Sequence, residues 1–243
     1  MTEKALLIDT SRCIGCRGCQ VACKQWNQLG VEVTTQAGTH QNPPDLSSTC
    51  YKLVRFNDFE DREGVKWHFF PDQCRHCIVP PCKDVADALG KEKTITIDPA
   101  TGAVLFARDV KVSPQEFADI RDACPFNIPR YDPTTQVMSK CTMCIDRIAN
   151  GLVPACVKAC PTGAMSFGDW EAMVQKGLKR QHELKARFPK AQVLNSEDVR
   201  VLFLVVDEPE TYHHFAMGRE ERGMTRSVAM KKLVRPFTGW LST

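Results

Sequence analysis

The segment that decides how this chain folds is Cys13-Ile14-Gly15-Cys16-Arg17-Gly18-Cys19-Gln20-Val21-Ala22-Cys23. Its C-x2-C-x2-C-x3-C spacing delivers three thiolates from one tight loop, with a fourth a little further on. In runs of this type three cysteines hold one iron–sulfur cubane and the fourth ligates a neighbouring cluster. Gly15 and Gly18 allow the sharp backbone turns and the close approach of N–H groups to sulfur that such a loop needs. Further along the chain lie a looser run, Cys141, Cys144, Cys156 and Cys160, followed by Pro161, and a third set, Cys74, Cys77 and Cys82, completed by Cys124 with Pro125 behind it. These sets use twelve of the thirteen cysteines. Under the cross-over rule, Cys13, Cys16 and Cys19 take Cys160 (cluster A), and Cys141, Cys144 and Cys156 take Cys23 (cluster B). Cys74, Cys77 and Cys82 take Cys124 (cluster C). The ligands close on three 4Fe–4S clusters with none left over, and the chain is expected to move electrons.

A fourth cluster is missing in an orderly way. Its cross-over ligand belongs four residues after Cys82, where Ala86 stands, and its triplet belongs at Pro114, Phe117 and Ile120. None of these side chains binds iron, so the pattern reads as a four-cluster scaffold that has lost one cluster. Disulfides and zinc are the competing uses of cysteine. Cysteine is about 5% of the chain, below the density of a disulfide scaffold. A zinc-stabilised binding module with no redox role is the alternative from another class. Structural zinc sites pair two C-x2-C dipeptides across a long gap, which leaves the closely following third and fourth cysteines and the two prolines unexplained.

The composition is that of an ordinary folded chain, 43% hydrophobic and 25% charged, and a net charge of +3 gives no reason to expect nucleic acid. The first apolar run, residues 5–8, is too short for a signal-peptide core, and no twin arginine precedes it. The strongly apolar stretch 201–206 is a buried strand rather than a membrane span, which takes roughly 20 residues. No membrane span is expected, and work outside the cytoplasm would need another protein to carry the chain there.

Strands are predicted at 5–8, 67–70 and 136–138, with a hairpin joining 94–97 to 103–106 through the Asp98-Pro99-Ala100-Thr101-Gly102 turn. The recurring strand, cysteine run and short helix imply an α+β fold of two ferredoxin-like modules. One, with two clusters, is split between 1–65 and 133–170; the other, with one cluster, is inserted at 66–132. The connection 30–65 is long enough to pack on something. A third region, 171–243, supplies a helix from Trp170 to the neighbourhood of Pro189 with Asp169 as its cap, then a strand, then a tail with Arg219, Arg222, Arg226, Lys231, Lys232 and Arg235 that reads either as a partner-docking segment or as a solvated face. Arg17, Lys24, Arg75, Lys83, Lys140, Arg147 and Lys158 lie beside ligands, and two or three of them are expected to tune cluster potentials. Cys50 reads as a buried thiol, His76 as structural, and the His213-His214 pair as surface. No catalytic motif is present, so substrate chemistry belongs to another polypeptide.

Five segments carry a family resemblance: Cys-Ile-Gly-Cys-Arg-Gly-Cys-Gln-Val-Ala-Cys-Lys-Gln-Trp (13–26), His-Gln-Asn-Pro-Pro-Asp-Leu (40–46), Cys-Arg-His-Cys-x-x-Pro-Pro-Cys-Lys (74–83), Ala-Cys-Pro-Phe-Asn-Ile-Pro-Arg (123–130) and Pro-Ala-Cys-Val-Lys-Ala-Cys-Pro-Thr-Gly-Ala (154–164). Over roughly residues 4–207 the chain resembles the iron–sulfur (beta) subunits of the molybdopterin oxidoreductase family. Within that family it is most similar to the small subunits of periplasmic formate dehydrogenases of sulfate-reducing bacteria. The resemblance implies a large catalytic partner carrying tungsten or molybdenum on two pterin guanine dinucleotides, with formate oxidised to carbon dioxide there. Electrons would pass through this chain to a cytochrome c-type acceptor. It also implies a periplasmic heterodimer, exported by a twin-arginine signal on the partner, with a cytoplasmic location as the alternative. Membrane-bound relatives hold four clusters and add a C-terminal membrane helix; this chain departs from them in both respects. Beta subunits of thiosulfate, polysulfide or dimethyl sulfoxide reductases share the cluster motifs, but segment 40–46 and the lost cluster favour formate dehydrogenase.

Overall fold

The computed structural model describes residues 3–61, 64–218 and 229–230. β1 (Lys4–Asp9) leads through one 3-10 turn and the first cysteine loop into α1 (Gly18–Trp26). A long antiparallel hairpin follows, β2 (Leu53–Asp61) with β3 (Gly64–Asp72). Next come α2 (Pro81–Ala88), the small hairpin of β4 (Ile95–Ile97) and β5 (Val104–Phe106), and α3 (Pro114–Asp122). β6 (Arg130–Asp132) pairs with β7 (Val137–Ser139), after which α4 (Ile145–Ala149) and α5 (Ala155–Lys158) carry the second long run. β8 (Met165–Asp169), α6 (Trp170–Lys185), β9 (Gln192–Leu194) and β10 (Val201–Val205) complete the described elements. The architecture is α+β, as the strand and cysteine pattern predicts.

Ala5 to Ile8 and Val201 to Val205 are apolar without alternation, the signature of strands covered on both faces. They lie side by side at the centre of a four-stranded sheet ordered β8-β1-β10-β9. β1 runs parallel to β10 with Leu6 opposite Val201, and antiparallel to β8 with Ile8 opposite Met165. α6 covers one face of this sheet, and Gly177 is what lets it come close. A Cβ there would stand 3.2 Å from Leu7 and 3.3 Å from Val193.

Three expectations need correction. Asp169 occupies the N-cap position of α6, yet its side chain makes no cap hydrogen bond. It takes the Lys4 ammonium at 2.5 Å, while the Trp170 N–H donates to the Glu3 carbonyl at 2.8 Å. The opposite charge of Lys4, directly across the β1–β8 ladder, wins over the cap. Second, the 30–65 connection is not all loop, since β2 starts at Leu53. The rest of it packs, as expected: Asp45 binds Arg55 at 2.6 Å and Arg130 at 2.8 Å. Third, residues 209–218 form no free tail. Tyr212 stacks on His68 with ring centres 4.1 Å apart, and Thr211 accepts a hydrogen bond from Asn57. His213 is drawn in beside Phe70 rather than left on the surface. Arg219, Arg222, Arg226, Lys231, Lys232 and Arg235 lie outside the described residues.

Asp72 ties the hairpin to the third cysteine set. It is buried and accepts from Arg55 at 2.8 Å and from Arg75 at 2.9 Å. Burial alone would raise its carboxyl, but the Arg75 and Arg55 guanidinium groups hold it below the usual range. Replacing Asp72 with Ala leaves two guanidinium groups without their shared anion and should cost roughly 3–5 kcal/mol of stability, read as a lower urea midpoint. Because the folded carboxyl titrates low, its contribution is complete above the unfolded-state value near 4 and is lost as pH falls through the folded one.

Candidate metal centres

The first loop is anchored before it begins. Asp9 accepts from the Ser11 N–H at 3.0 Å and closes the 3-10 turn ahead of Cys13. Gly15 has φ +66°, and a Cβ there would meet Phe56 and Phe69 at 3.0 Å, so the conformation and the space both demand glycine. Arg17, at φ 59°, turns the chain into α1, which carries Cys19 and Cys23 one turn apart on its buried side. In the second run Met143 and Cys144 are both left-handed, at φ 58° and 53°, and bend the loop back before α4. α5 holds Cys156, presents Cys160 two residues past its end, and packs on α1.

The structure groups the sulfurs as follows. Cys13 stands with Cys160 and with Cys16, and Cys19 with Cys13 and Cys16. Cys23 is next to Cys141, Cys144 and Cys156. Cys124 stands with Cys74, Cys77 and Cys82. Each of the two long runs thus has the last cysteine of the other beside it. The groups are also neighbours: Cys19 is within electrostatic reach of Cys156, and Cys141 of Cys74.

The donor sets suit a buried thiolate cofactor. The third set lines a cleft walled by Val104, Phe106 and Phe126. Backbone N–H groups point at sulfur two residues back, His76 to Cys74 and Met143 to Cys141, each at 3.4 Å, and Ile128 donates to Cys124 at 3.5 Å. Among the described residues, no three His, Cys, Asp or Glu side chains converge closely enough to hold one ion. A tetrahedral zinc site with Zn–S bonds of about 2.3 Å needs that convergence. Burial pushes the free thiols up, Cys19 and Cys141 to about 12 and Cys124 and Cys144 to about 11. Loading metal must therefore expel protons from these sites. Cys160 differs. Burial acts to raise it, but hydrogen bonds from Thr162, Met165 and Ala164 together bring it below the ordinary thiol range.

Where a fourth cluster would sit there is a hydrophobic core. Ala86 on α2 and Ile120 on α3 are fully buried, packed with Val85, Val112 and Met138, and Phe117 stacks on Tyr131 at 5.0 Å. Pro114, Phe117 and Ile120 lie on a regular helix opened by a Ser113–Glu116 capping box, where a ligand triplet would need a loop.

Of the seven cations beside ligands, Arg75 and Lys140 are buried. Four of the others are engaged nearer the surface: Arg17 with the His40 carbonyl, Lys24 with the Thr49 carbonyl, Lys83 with Asp87, and Arg147 with Val153 and over the Trp26 ring. Lys52 was missed. It is fully buried, and its one trace in the sequence is a lone charge between Tyr51 and Leu53. His76 is structural: it is fully buried and its Nδ1 accepts from the Val104 N–H at 3.0 Å. Cys50 is a buried thiol donating to the Lys52 carbonyl at 3.4 Å.

Comparison with known proteins adds the following. Residues 65–170 match the family described as a 4Fe-4S dicluster domain. The chain is 50% identical over 215 residues to "Formate dehydrogenase 2 subunit beta (cytochrome c-553)" of Nitratidesulfovibrio vulgaris (strain Hildenborough), covering 88% of this chain and 98% of that one. It is 48% identical over 216 residues to the formate dehydrogenase subunit beta of Megalodesulfovibrio gigas, covering 89% and 100%. To the nitrate-inducible formate dehydrogenase iron–sulfur subunit of Escherichia coli (strain K12) it is 39% identical over 217 residues, covering 87% and 71%.

Cys124→Ala should remove one cluster and leave two, because Cys124 stands only with the third set; loss of two by iron and sulfide analysis would contradict the grouping. Restoring cysteine at Ala86, Pro114, Phe117 and Ile120 together should add no iron, since α3 presents a helix and the site is filled. A rise in iron content would count against that.

Proposed function

Because this chain belongs to the iron–sulfur (beta) subunits of formate dehydrogenases, we propose that it relays electrons from formate, oxidised on a catalytic partner, through three 4Fe–4S clusters to a cytochrome c-type acceptor. It is an electron-transfer subunit and not the catalytic one. We assign Cys13, Cys16, Cys19 and Cys160 to cluster A, Cys23, Cys141, Cys144 and Cys156 to cluster B, and Cys74, Cys77, Cys82 and Cys124 to cluster C. The observation that supports this reading is that cysteines distant in sequence become neighbours: Cys13 has Cys160 beside it, Cys23 has Cys141, Cys144 and Cys156, and Cys82 has Cys74, Cys77 and Cys124.

A bound cubane supplies a site that accepts and releases an electron. The residues of this chain do the remaining work. Apolar walls exclude water, and N–H groups directed at Cys74, Cys124 and Cys141 favour the thiolate and its added negative charge. Set A lies nearest the surface: Cys16 is exposed, Ile14 beside it is 60% exposed, and Val21 on α1 is 65% exposed. Such a face can transfer electrons to or from a docked protein, whereas the other two sets are more enclosed. The name of the Nitratidesulfovibrio relative, with its cytochrome c-553, supports a cytochrome acceptor.

In this reading the partner holds tungsten or molybdenum on two pterin guanine dinucleotides, and its twin-arginine signal takes the pair to the periplasm. No helix among the described residues is long and apolar enough to cross a membrane. We divide the chain into a two-cluster module (1–65 with 133–170), an inserted one-cluster module (66–132) and a C-terminal region (171–243).

Formate added anaerobically to the purified complex should bleach the broad visible absorption of the clusters. The isolated chain, holding the same iron, should bleach with dithionite and not with formate. Formate turnover by the isolated chain, or a colourless zinc-loaded protein, would reject the proposal.

A further inference from the structure

Two lysines lie in the interior with nothing in the protein fold to balance them. Lys52 is 1% exposed and Lys140 is 5% exposed. Among the described residues, neither has a carboxylate partner. Lys52 Nζ donates to the Pro71 carbonyl at 3.2 Å and to Gln73 Oε1 at 2.6 Å. Lys140 Nζ donates to the Val104 carbonyl at 2.5 Å and the Cys141 carbonyl at 2.8 Å, and stands 4.8 Å from the centre of the Phe106 ring. All of these acceptors are neutral. A buried ammonium with only neutral acceptors is costly unless a negative group is close.

Among the described residues, the groups near these lysines that gain negative charge when metal is bound are the cysteines, and their distribution is specific. Lys52 lies within electrostatic reach of Cys13 and Cys19 of set A and of Cys23, Cys141 and Cys156 of set B. Lys140 acts on Cys141 of set B and Cys82 of set C. There is thus one buried cation at each junction of the three groups. Lys140 is one of the seven cations adjacent to ligands in sequence; Lys52 is not, and it reaches its place at the entrance to the β2–β3 hairpin.

Resting on the three-cluster reading, we propose that Lys52 is the counter-cation shared by clusters A and B, and Lys140 the one shared by B and C. Each sets the reduction potential of the pair it bridges. Reduction adds negative charge beside a fixed positive one, so the ammonium favours the reduced form. Burial spares it the ionic screening that weakens a surface lysine. A cation shared by two centres raises both together, which keeps neighbouring steps of the relay level. It also offsets the repulsion between electrons on adjacent clusters.

The test is an EPR-monitored redox titration of the purified native complex, with Cys124→Ala used to identify the cluster C signal. Lys52→Met should disfavour reduction of A and B roughly tenfold each, a fall of about 59 mV for a one-electron couple, and leave C where it was. Lys140→Met should lower B and C and leave A. Lys52→Arg should stay near the native values because the charge is kept. Lys52→Gln, a neutral side chain that still donates toward Pro71 and Gln73, should repeat the Met result where Met packs poorly. Full iron with unmoved potentials overturns the proposal. So does an equal shift of all three clusters, or loss of iron with the remaining clusters unshifted, which would make the lysines purely structural. Absence of iron–sulfur signals from the unaltered complex would instead refute the three-cluster reading, and it shows before any variant is made.

Discussion

The pairing of β1 with β8 is the constraint on which the rest depends. Ile8 lies opposite Met165, and the Asp9 N–H donates to the Ala164 carbonyl at 2.8 Å. Cys13 follows just after one of these strands and Cys160 stands just before the other, so the ladder sets which sulfur faces which. Slippage by one residue would move the two runs past each other by about 3.3 Å, more than a metal–thiolate bond can absorb. Burial guards the register. Leu6 and Ile8 enter one core cluster and Leu7 another, so a slip would put every one of these side chains on the wrong face.

The electrostatics of the interior follow from what that ladder brings together. Buried cations comprise Lys52, Arg55, Arg75, Arg130, Lys140 and Arg200, against the buried carboxylates Asp9 and Asp72. Among the described residues the interior thus holds six cations against two carboxylates, in a chain whose net charge is only +3. Arg55, Arg75 and Arg130 are accounted for by Asp72 and Asp45, and Arg200 by Glu3 at 2.7 Å. Lys52 and Lys140 are not, and they stand where the thiols are densest. The positive interior suits a protein built to hold extra electrons.

Much of this was legible in the sequence, because cysteine spacing is a local constraint and local constraints survive folding. β1, β10 and the β4–β5 hairpin all follow from runs of a few residues. The misses share one cause, which is that a distant partner decided the outcome. Asp169 looks like a helix cap until Lys4 is set across the sheet from it. Residues 209–218 look irregular until His68 offers a ring for Tyr212. Lys52 looks like an ordinary lysine until the β2–β3 hairpin folds it inward. α3 is different, since Ser113-x-x-Glu116 is a helix start legible in the sequence itself.

The place of β1 in the sheet also bears on how the protein is made. β1 leaves the ribosome well before its flanking strands, β8 and β10, which begin only at Met165 and Val201. At translation speeds of roughly 5–20 residues per second, the first strand and its four following thiols wait on the order of 10 seconds before their partners exist. During that interval the strand has no partner on either side. On the proposed ligand assignment, Cys13 and Cys160 can meet only once β8 has been made, so a cofactor they share would be held only by a chain synthesised past that point.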